Sequence, residues 1–354
     1  MVKAIQVGLG HWGLSWSLEV IPHVDRVETV AYVDSNPEAL SRLRSELGVP
    51  ESACFTSLEE AAKAVDAELV IATLRTEAHY PVVMDALKRG YHVIVEKPFA
   101  SSLAEAAQMV AKANERDRIL MVSQNYRFQP APRAVAKMVA ESALGEVNMV
   151  SLDFRKHAPS IGYRYWEMPD PLLADMAIHH FDLLRMVLGD NPRRVSCRTW
   201  NTTDSKFVHH PVGVATIEFD KGTVVSYRGS WMSGAPDTPW SGEWSMDCSD
   251  GEIWWSSRDQ RPDGDHPDRL EVTLLGKEKQ SVPLPELDLS DRMGTLDAVA
   301  RAIAEGQGPD YFSSGADNLM SLALVEATVL SASRGGEWIE IADLVAAARA
   351  AGTP

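Results

Sequence analysis

The chain is poor in cysteine, short of basic residues for its size and without a long apolar run. Its three cysteines, Cys54, Cys197 and Cys248, are scattered over 354 residues. An odd, dispersed set fits neither a disulfide framework nor a zinc ribbon, and reads as reduced thiols of a cytoplasmic protein. Lys and Arg number 34 against 50 Asp and Glu, a formal charge of −16. That balance argues against nucleic acid or an anionic membrane as partner, since both need basic patches. No apolar run approaches the roughly 20 residues that span a bilayer. The first β-like run starts at residue 3 or 4, which leaves no room for a secretory leader. We find no internal repeat and no low-complexity tract. The composition that remains, 45% hydrophobic and 24% charged, is that of a globular protein long enough for two domains.

The most informative stretch is Ile5–Gly13, IQVGLGHWG. A β-like run breaks into Gly8-x-Gly10-x-x-Gly13, and Leu14 to Val20 can start a helix. A second β-like run, Val27 to Val33, ends in Asp34. Strand, glycine turn, helix, strand and acidic residue form the dinucleotide-binding fingerprint. Gly8 permits the tight turn, Gly10 lets the backbone approach a pyrophosphate, and Gly13 lets helix and strand pack closely. The helix start offers unpaired N–H groups to the phosphates, and His11 and Trp12 lie within that turn. Asp34 would accept from the ribose hydroxyls and repel a 2′-phosphate, which favours NAD over NADP. Arg42 and Arg44 downstream could bind a phosphate, and read rather as solvated helix charges.

Residues 1–123 alternate apolar runs (Ala4–Val7, Thr29–Val33, Leu69–Ala72, His92–Val95, Leu120–Val122) with helix-like segments (Pro37–Leu47, Leu58–Ala64, Tyr80–Arg89, Leu103–Arg116). This pattern implies βαβ units and a parallel sheet, with the ligand edge at the carboxyl ends of the strands. Thr73, Leu74, Arg75 and His79 fall at that edge, as do Glu96, Lys97 and Pro98. Residues 124–354 change character. Closely spaced strands (Val147–Arg155, Arg194–Trp200, Gly213–Phe219, Thr223–Trp231, Glu243–Cys248, Glu252–Trp255, Leu270–Leu275) suggest a second α/β domain with an open, mostly antiparallel sheet. One helix, Leu172–Leu188, interrupts them and ends at Gly189. Arg292–Glu305 and Ser314–Ser333 read as covering helices, and Arg258–Arg269 as a solvated loop.

Two clusters carry chemistry. Lys97, in Glu96-Lys97-Pro98, can hydrogen-bond a substrate hydroxyl or a developing alkoxide. The helix holds Asp175, His179, His180 and Asp182. Asp175 and His179 are four apart and share a face, and a carboxylate beside an imidazole suits a general base. The same spacing also suits a buried structural histidine or a zinc site. A nicotinamide already supplies hydride chemistry, so no metal is expected.

The order GLGHWG, Asp34, EKP and DxxxHHxxD resembles the Gfo/Idh/MocA family, of which glucose–fructose oxidoreductase and inositol dehydrogenases are members. The resemblance extends to Gly315–Ser331. It implies a Rossmann domain followed by an α/β domain, and it matches Lys97, Asp175 and His179 to the family's catalytic residues. His179 would take the hydroxyl proton as hydride leaves the same carbon for NAD. Lys97 would position the oxygen, and Asp175 would hold substrate and His179. Pro171-Leu172-Leu173-Ala174 and Ala177 stand where relatives often have glycines. Asn125 is a further candidate cofactor contact, and Tyr126 and Arg127 are candidate substrate contacts. So are Lys156, Tyr163, Arg164 and Trp166, and the tryptophans Trp231, Trp240 and Trp244 are candidate sugar platforms. The expected activity is NAD-dependent oxidation of a secondary hydroxyl of a sugar, cyclitol or derivative. Some relatives are instead glycosidases that use NAD transiently and yield no net NADH, and some are non-catalytic sensors. A homodimer or homotetramer is expected through an open sheet face.

Overall fold

The computed structural model describes residues 1–157, 163–259, 267–309 and 311–351, apart from the side chains of residues 163 and 164. The chain divides into two compact units. The first comprises Met1–Asn125 and Leu289–Leu319 with the last residues from Ala348. The second comprises Tyr126–Asp288 and Met320–Ala347. The expected division after residue 123 therefore meets a chain that returns to its first unit at Leu289.

In the first unit, β1 (Val2–Val7), β2 (Val27–Val33), β3 (Cys54–Phe55), β4 (Leu69–Ala72), β5 (His92–Val95) and β6 (Leu120–Val122) form one sheet in the order 3-2-1-4-5-6. All of its pairings are parallel. Every residue of β4 and β6 is buried, as a parallel sheet covered on both faces requires. The strands alternate with α1 (His11–Ser15, continued by a π turn over Trp16–Val20), α2 (Pro37–Leu47), α3 (Leu58–Ala64), α4 (Thr76–Arg89) and α5 (Leu103–Glu115). Local chemistry sets their limits. Asn36, Ser57 and Ser102 accept from the backbone N–H of Glu38, Glu60 and Glu105 as N-caps, and Gly48 and Gly90 end α2 and α4 in the left-handed conformation. β1 and β4 are neighbours while the chain between them winds to the other side. This switch point opens a ligand crevice at their carboxyl ends.

The second unit begins with α6 (Pro130–Ala140), followed by β7 (Val147–Arg155), a short α7 (Tyr163–Trp166) and α8 (Ala177–Leu188), the last preceded by a π turn over Leu172–Met176. Then come β8 (Pro192–Trp200), β9 (Val212–Phe219), β10 (Val224–Ser230), β11 (Glu243–Cys248), β12 (Gly251–Ser256), β13 (Arg269–Leu274), β14 (Gln280–Ser281) and β15 (Ile339–Glu340). The nine strands order as 14-13-12-11-7-10-9-8-15, antiparallel except where β10 runs parallel to β7. α9 (Asp291–Glu305) packs on β1, β2 and β5 of the first sheet, and α10 (Gly315–Ser333) and α11 (Ile341–Ala351) complete the chain.

Alternation in β7 sends Val150, Leu152 and Phe154 inward and leaves Met149 and Ser151 exposed. Trp244 stacks on Trp255 with centroids 4.4 Å apart, and Trp231, Trp244 and Trp255 are at most 2% exposed. The expectation that Trp231 and Trp244 form sugar platforms is therefore corrected. Their rings are core, because an indole removes more apolar surface from water than other side chains.

His180 lies in the same core, fully buried. Its Nε2 is 3.0 Å from the Trp240 carbonyl oxygen, and its Nδ1 is 3.3 Å from the Tyr227 hydroxyl. A carbonyl only accepts, so Nε2 bears the proton and Nδ1 accepts from Tyr227. Burial pushes the imidazole down to about 4 from 6.5. Between those two values the unfolded chain takes up a proton that the folded chain refuses. Stability is full above about 6.5 and falls as pH drops towards about 4, by roughly 3 kcal/mol from this group. Urea denaturation across that window should show a slope with pH that is smaller by one proton in His180→Gln. An unchanged slope would contradict the assignment.

Candidate active site

The glycine turn of the first unit rests on a buried polar network. Gln6, fully buried in β1, donates from Nε2 to the Gly13 carbonyl at 2.7 Å and to Thr73 Oγ1 at 3.3 Å. Its Oε1 accepts from the Ser17 hydroxyl at 2.6 Å. Thr73 donates to the Gly8 carbonyl at 2.7 Å. Gly8 sits at φ +95°, where a side chain is strained, and a Cβ there would lie 2.8 Å from Leu74 Cδ2. A Cβ on Gly13 would lie 1.9 Å from the Gly8 oxygen. Gly10 differs: a Cβ there meets nothing within 4 Å, so the turn presents open backbone where a pyrophosphate would lie.

Asp34 follows β2. It accepts the Leu9 N–H at 2.6 Å and the Asn36 N–H at 2.8 Å. Its carboxylate thus closes the turn and keeps lone pairs for ribose hydroxyls. Arg42, expected as a solvated helix charge, donates from Nη2 to the Leu9 carbonyl at 2.9 Å and so reaches the same turn. Arg44 pairs with Glu51 at 3.2 Å. His11 and Trp12 stand exposed on the first turn of α1. Sequence reasoning missed Arg292, whose guanidinium lies 4.4 Å from the Trp12 ring centroid and bonds Ser15 Oγ at 3.0 Å and Glu19 at 3.1 Å. No local pattern marks a residue so distant in sequence.

The other strand ends supply Leu74, Arg75, Glu96, Lys97 and Pro98. Arg75 is exposed and Leu74 half-buried. Glu96, 5% exposed, accepts from Trp16 Nε1 at 2.8 Å and from the Lys97 N–H at 3.1 Å. The Lys97–Pro98 bond is cis. His79, expected at the cofactor, is fully buried. Its Nδ1 is 2.9 Å from the Pro98 carbonyl and its Nε2 is 3.2 Å from the Leu74 carbonyl. Burial lowers its basicity below the ordinary histidine value. The neutral ring has one N–H and so donates to one of these two carbonyls; the side chain is buried between the edge loops rather than presented to a cofactor, and that expectation is corrected. Asn125 donates to Asp291. Just after β6, the Ser123 hydroxyl and both amide atoms of Gln124 are buried with no hydrogen-bond partner among the described residues. Such groups at the ligand edge suit a bound polar molecule. The open Gly10 backbone, the Asp34 carboxylate and these orphaned polar atoms fit a dinucleotide.

In the second unit, Asp175 lies in the π turn and His179 on the first turn of α8. Sequence spacing predicts one regular helix; the π turn changes the stagger between them. The Tyr165 hydroxyl is 2.9 Å from Asp175 Oδ2 and 3.0 Å from the Pro171 carbonyl oxygen. Burial and the Asp175 charge raise its ionisation far above the ordinary phenol range, so it stays a donor. His179, 6% exposed, stacks on Tyr126 with centroids 4.0 Å apart and planes 9° from parallel. Asp182 binds Arg127 instead, at 2.5 and 2.6 Å, and accepts from Ser321 at 2.8 Å. Arg127, expected as a substrate contact, is 4% exposed and belongs to that ion pair, since a buried guanidinium needs a carboxylate. Lys156, 9% exposed, reaches Asp237 at 3.4 Å and lies over the Trp240 ring. Trp166 is half-buried under Lys206. The side chains of Tyr163 and Arg164 lie outside the described residues. Among the described residues, no three or more His, Cys, Asp or Glu gather into a metal site, and no helix is long and apolar enough to cross a membrane.

Residues 2–124 match the family model for an oxidoreductase family with an NAD-binding Rossmann fold. Residues 133–253 match the GFO/IDH/MocA C-terminal domain. The chain belongs to the Gfo/Idh/MocA family of oxidoreductases, and its first unit carries that family's NAD-binding domain. It is 26% identical to D-apiose dehydrogenase of Paraburkholderia graminis, over 98% of this chain and 92% of that one. Its fold is that of an oxidoreductase from Agrobacterium radiobacter solved with NAD+, L-tartaric acid and magnesium (TM-score 0.84, 22% identity, 97% and 99% of the two chains). It is also that of an inositol dehydrogenase homolog from Azotobacter vinelandii solved with NADH and myo-inositol (TM-score 0.80, 19% identity, 96% and 97%).

The two glycines should separate in experiment. Gly10→Ala should leave the melting temperature unchanged and weaken NAD binding by titration calorimetry, because the methyl group meets only the ligand. Gly13→Ala should lower both stability and affinity, because its methyl group meets the Gly8 carbonyl. Equal melting temperatures for the two variants would contradict this division.

Proposed function

We propose that the protein oxidises a secondary hydroxyl of a sugar, cyclitol or sugar derivative, using NAD. The observation that carries this reading is the imidazole of His179, stacked flat on Tyr126 and carried on the helix that follows the π turn bearing Asp175. NAD, when bound, supplies the hydride acceptor. His179 takes the hydroxyl proton as general base. Lys97 donates a hydrogen bond to the same oxygen and stabilises the charge that develops there. Asp175, supplied with a hydrogen bond by Tyr165, accepts from the substrate and keeps it aligned with His179. Lys97 belongs to the first unit and Asp175 and His179 to the second, so the reading requires all three to act on one substrate. The net change is one alcohol to one carbonyl, with NAD reduced and one proton released.

Asp34 supports NAD over NADP, because a fixed carboxylate repels a 2′-phosphate. Tyr126, Trp166 and Lys156 remain the side chains proposed nearest the substrate. The reading includes a cytoplasmic setting and a homodimer or homotetramer. The exposed apolar residues Met149, Trp200, Val214 and Val224 on the second sheet support self-association.

The test is NADH absorbance against a panel of sugars, cyclitols, sugar acids and glycosides, with product analysis. One polyol should yield NADH. Lys97→Ala and His179→Ala should each lower kcat by roughly 10²- to 10⁴-fold while NAD still binds. Full turnover in both variants would sink the assignment, and free sugar released from a glycoside without NADH would replace it by oxidation–elimination chemistry.

A further inference from the structure

Arg258 lies in a segment that reads from sequence as a solvated loop, yet its backbone is unusual. It sits at φ +61°, a left-handed conformation that disfavours a long side chain. The surroundings hold it there. Its N–H donates to Asp268 Oδ1 at 3.0 Å, and its carbonyl accepts from the Trp240 N–H at 3.1 Å. The preceding residue, Ser257, is buried and clamped by Ser241, whose hydroxyl donates to the Ser257 carbonyl at 2.6 Å and accepts the Ser257 N–H at 2.8 Å. The other oxygen of Asp268 accepts the Ala131 N–H at 3.0 Å, at the start of α6. One carboxylate therefore fixes both the Arg258 backbone and the chain just beyond Tyr126.

The purpose of this conformation is visible at the end of the side chain. The Arg258 guanidinium carbon lies 4.3 Å from the Tyr126 ring centroid. The His179 ring lies 4.0 Å from that same centroid, nearly parallel to it. Two planar groups at these distances cannot share one face of a phenol ring without overlapping. Tyr126 is therefore held between a guanidinium and an imidazole. A cation on an aromatic face is attractive, more so when partly desolvated. Arg258 is half-buried and Tyr126 is 6% exposed.

We infer that Arg258 is a positioning residue for His179, acting through the Tyr126 ring that it holds flat against the imidazole. The inference rests on the reading of His179 as the base. The torsion that turns an imidazole about its own bond is broad and poorly fixed by rotamer preference. A base must present one ring nitrogen to the substrate oxygen within hydrogen-bond distance. A flat stack fixes that torsion. Strained backbone held by its surroundings is what such a device requires.

Two measurements test it. The first needs no substrate: the ring-proton resonances of His179, labelled in histidine and assigned by their loss in His179→Gln. The Tyr126 ring current should displace them. Tyr126→Phe should keep the displacement, and Tyr126→Leu and Arg258→Ala should return the signals towards the free-histidine position. The second is kinetic, with the polyol that yields NADH. Arg258→Ala should lower kcat by roughly 10- to 100-fold, with substrate KM and NAD affinity each within about threefold of wild type. Arg258→Lys, which keeps the cation and loses the planar face, should recover part of kcat.

His179 resonances unmoved in Arg258→Ala, or a kcat within about twofold of wild type, would overturn the inference. Those results leave the base assignment standing if His179→Ala is still inactive. Full activity in His179→Ala would instead remove the base reading, and the inference with it. If no polyol yields NADH, the resonances alone decide whether Arg258 holds the imidazole.

Discussion

The buried pair of Arg127 and Asp182 is the constraint on which the packing around His179 depends. Both side chains are at most 4% exposed and meet through two short hydrogen bonds. A carboxylate and a guanidinium taken out of water are tolerable only when each satisfies the other. Removing either would leave an uncompensated charge in the core, at a cost of about 3–5 kcal/mol. The pair is also close in sequence to the proposed base. Arg127 follows Tyr126 directly, and Asp182 lies three residues past His179. Holding Arg127 to Asp182 therefore brings the Tyr126 ring to α8, where it meets the imidazole. Ser321 of α10 donates to Asp182 and accepts from Arg185 at 2.9 Å, extending the network from α8 to a second helix.

The first unit solves a comparable problem with neutral groups. A cofactor turn must expose backbone N–H groups to a ligand and still be rigid. Here the rigidity comes from beneath, through Gln6, Ser17 and Thr73, whose polar atoms are satisfied by one another and by the turn's carbonyls. Asp34 holds the turn from the side through the Leu9 N–H. Gly10 is left open, with nothing within 4 Å of where a side chain would stand. In both units the groups proposed to meet small molecules are oriented by buried neighbours.

Much of this is legible in the sequence. The limits of β4, β5, β6, β7 and β11, and of α2 and α3, follow from local residue patterns, with Asn36 and Gly48 bounding α2 and Ser57 starting α3. The glycine turn, Asp34 and the Lys97 and His179 segments are local patterns, so they can be read residue by residue. What escapes is long-range. α6 begins Pro130-Ala131-Pro132, which discourages a helix reading although proline suits a first turn. The return of Leu289–Leu319 to the first unit has no local signal. The π turn ahead of α8 differs from an α-helix by one hydrogen-bond step, and residue spacing does not resolve it. Arg127 and His79 look like site residues because they neighbour site residues; burial and partners assign them to structure. Arg258 looks like loop because its role depends on a ring 132 positions earlier.

In the proposed reaction one carbinol hydrogen of a polyol passes as hydride to NAD on this chain. The most direct measurement follows that hydrogen. The protein is incubated with NAD and the active polyol deuterated at the oxidised carbon, and the nucleotide and sugar are separated and analysed by NMR. Hydride transfer to NAD should leave deuterium at C4 of accumulated NADH and a carbonyl at the labelled carbon. Deuterium retained in the sugar with no NADH formed, or lost to water, would contradict it.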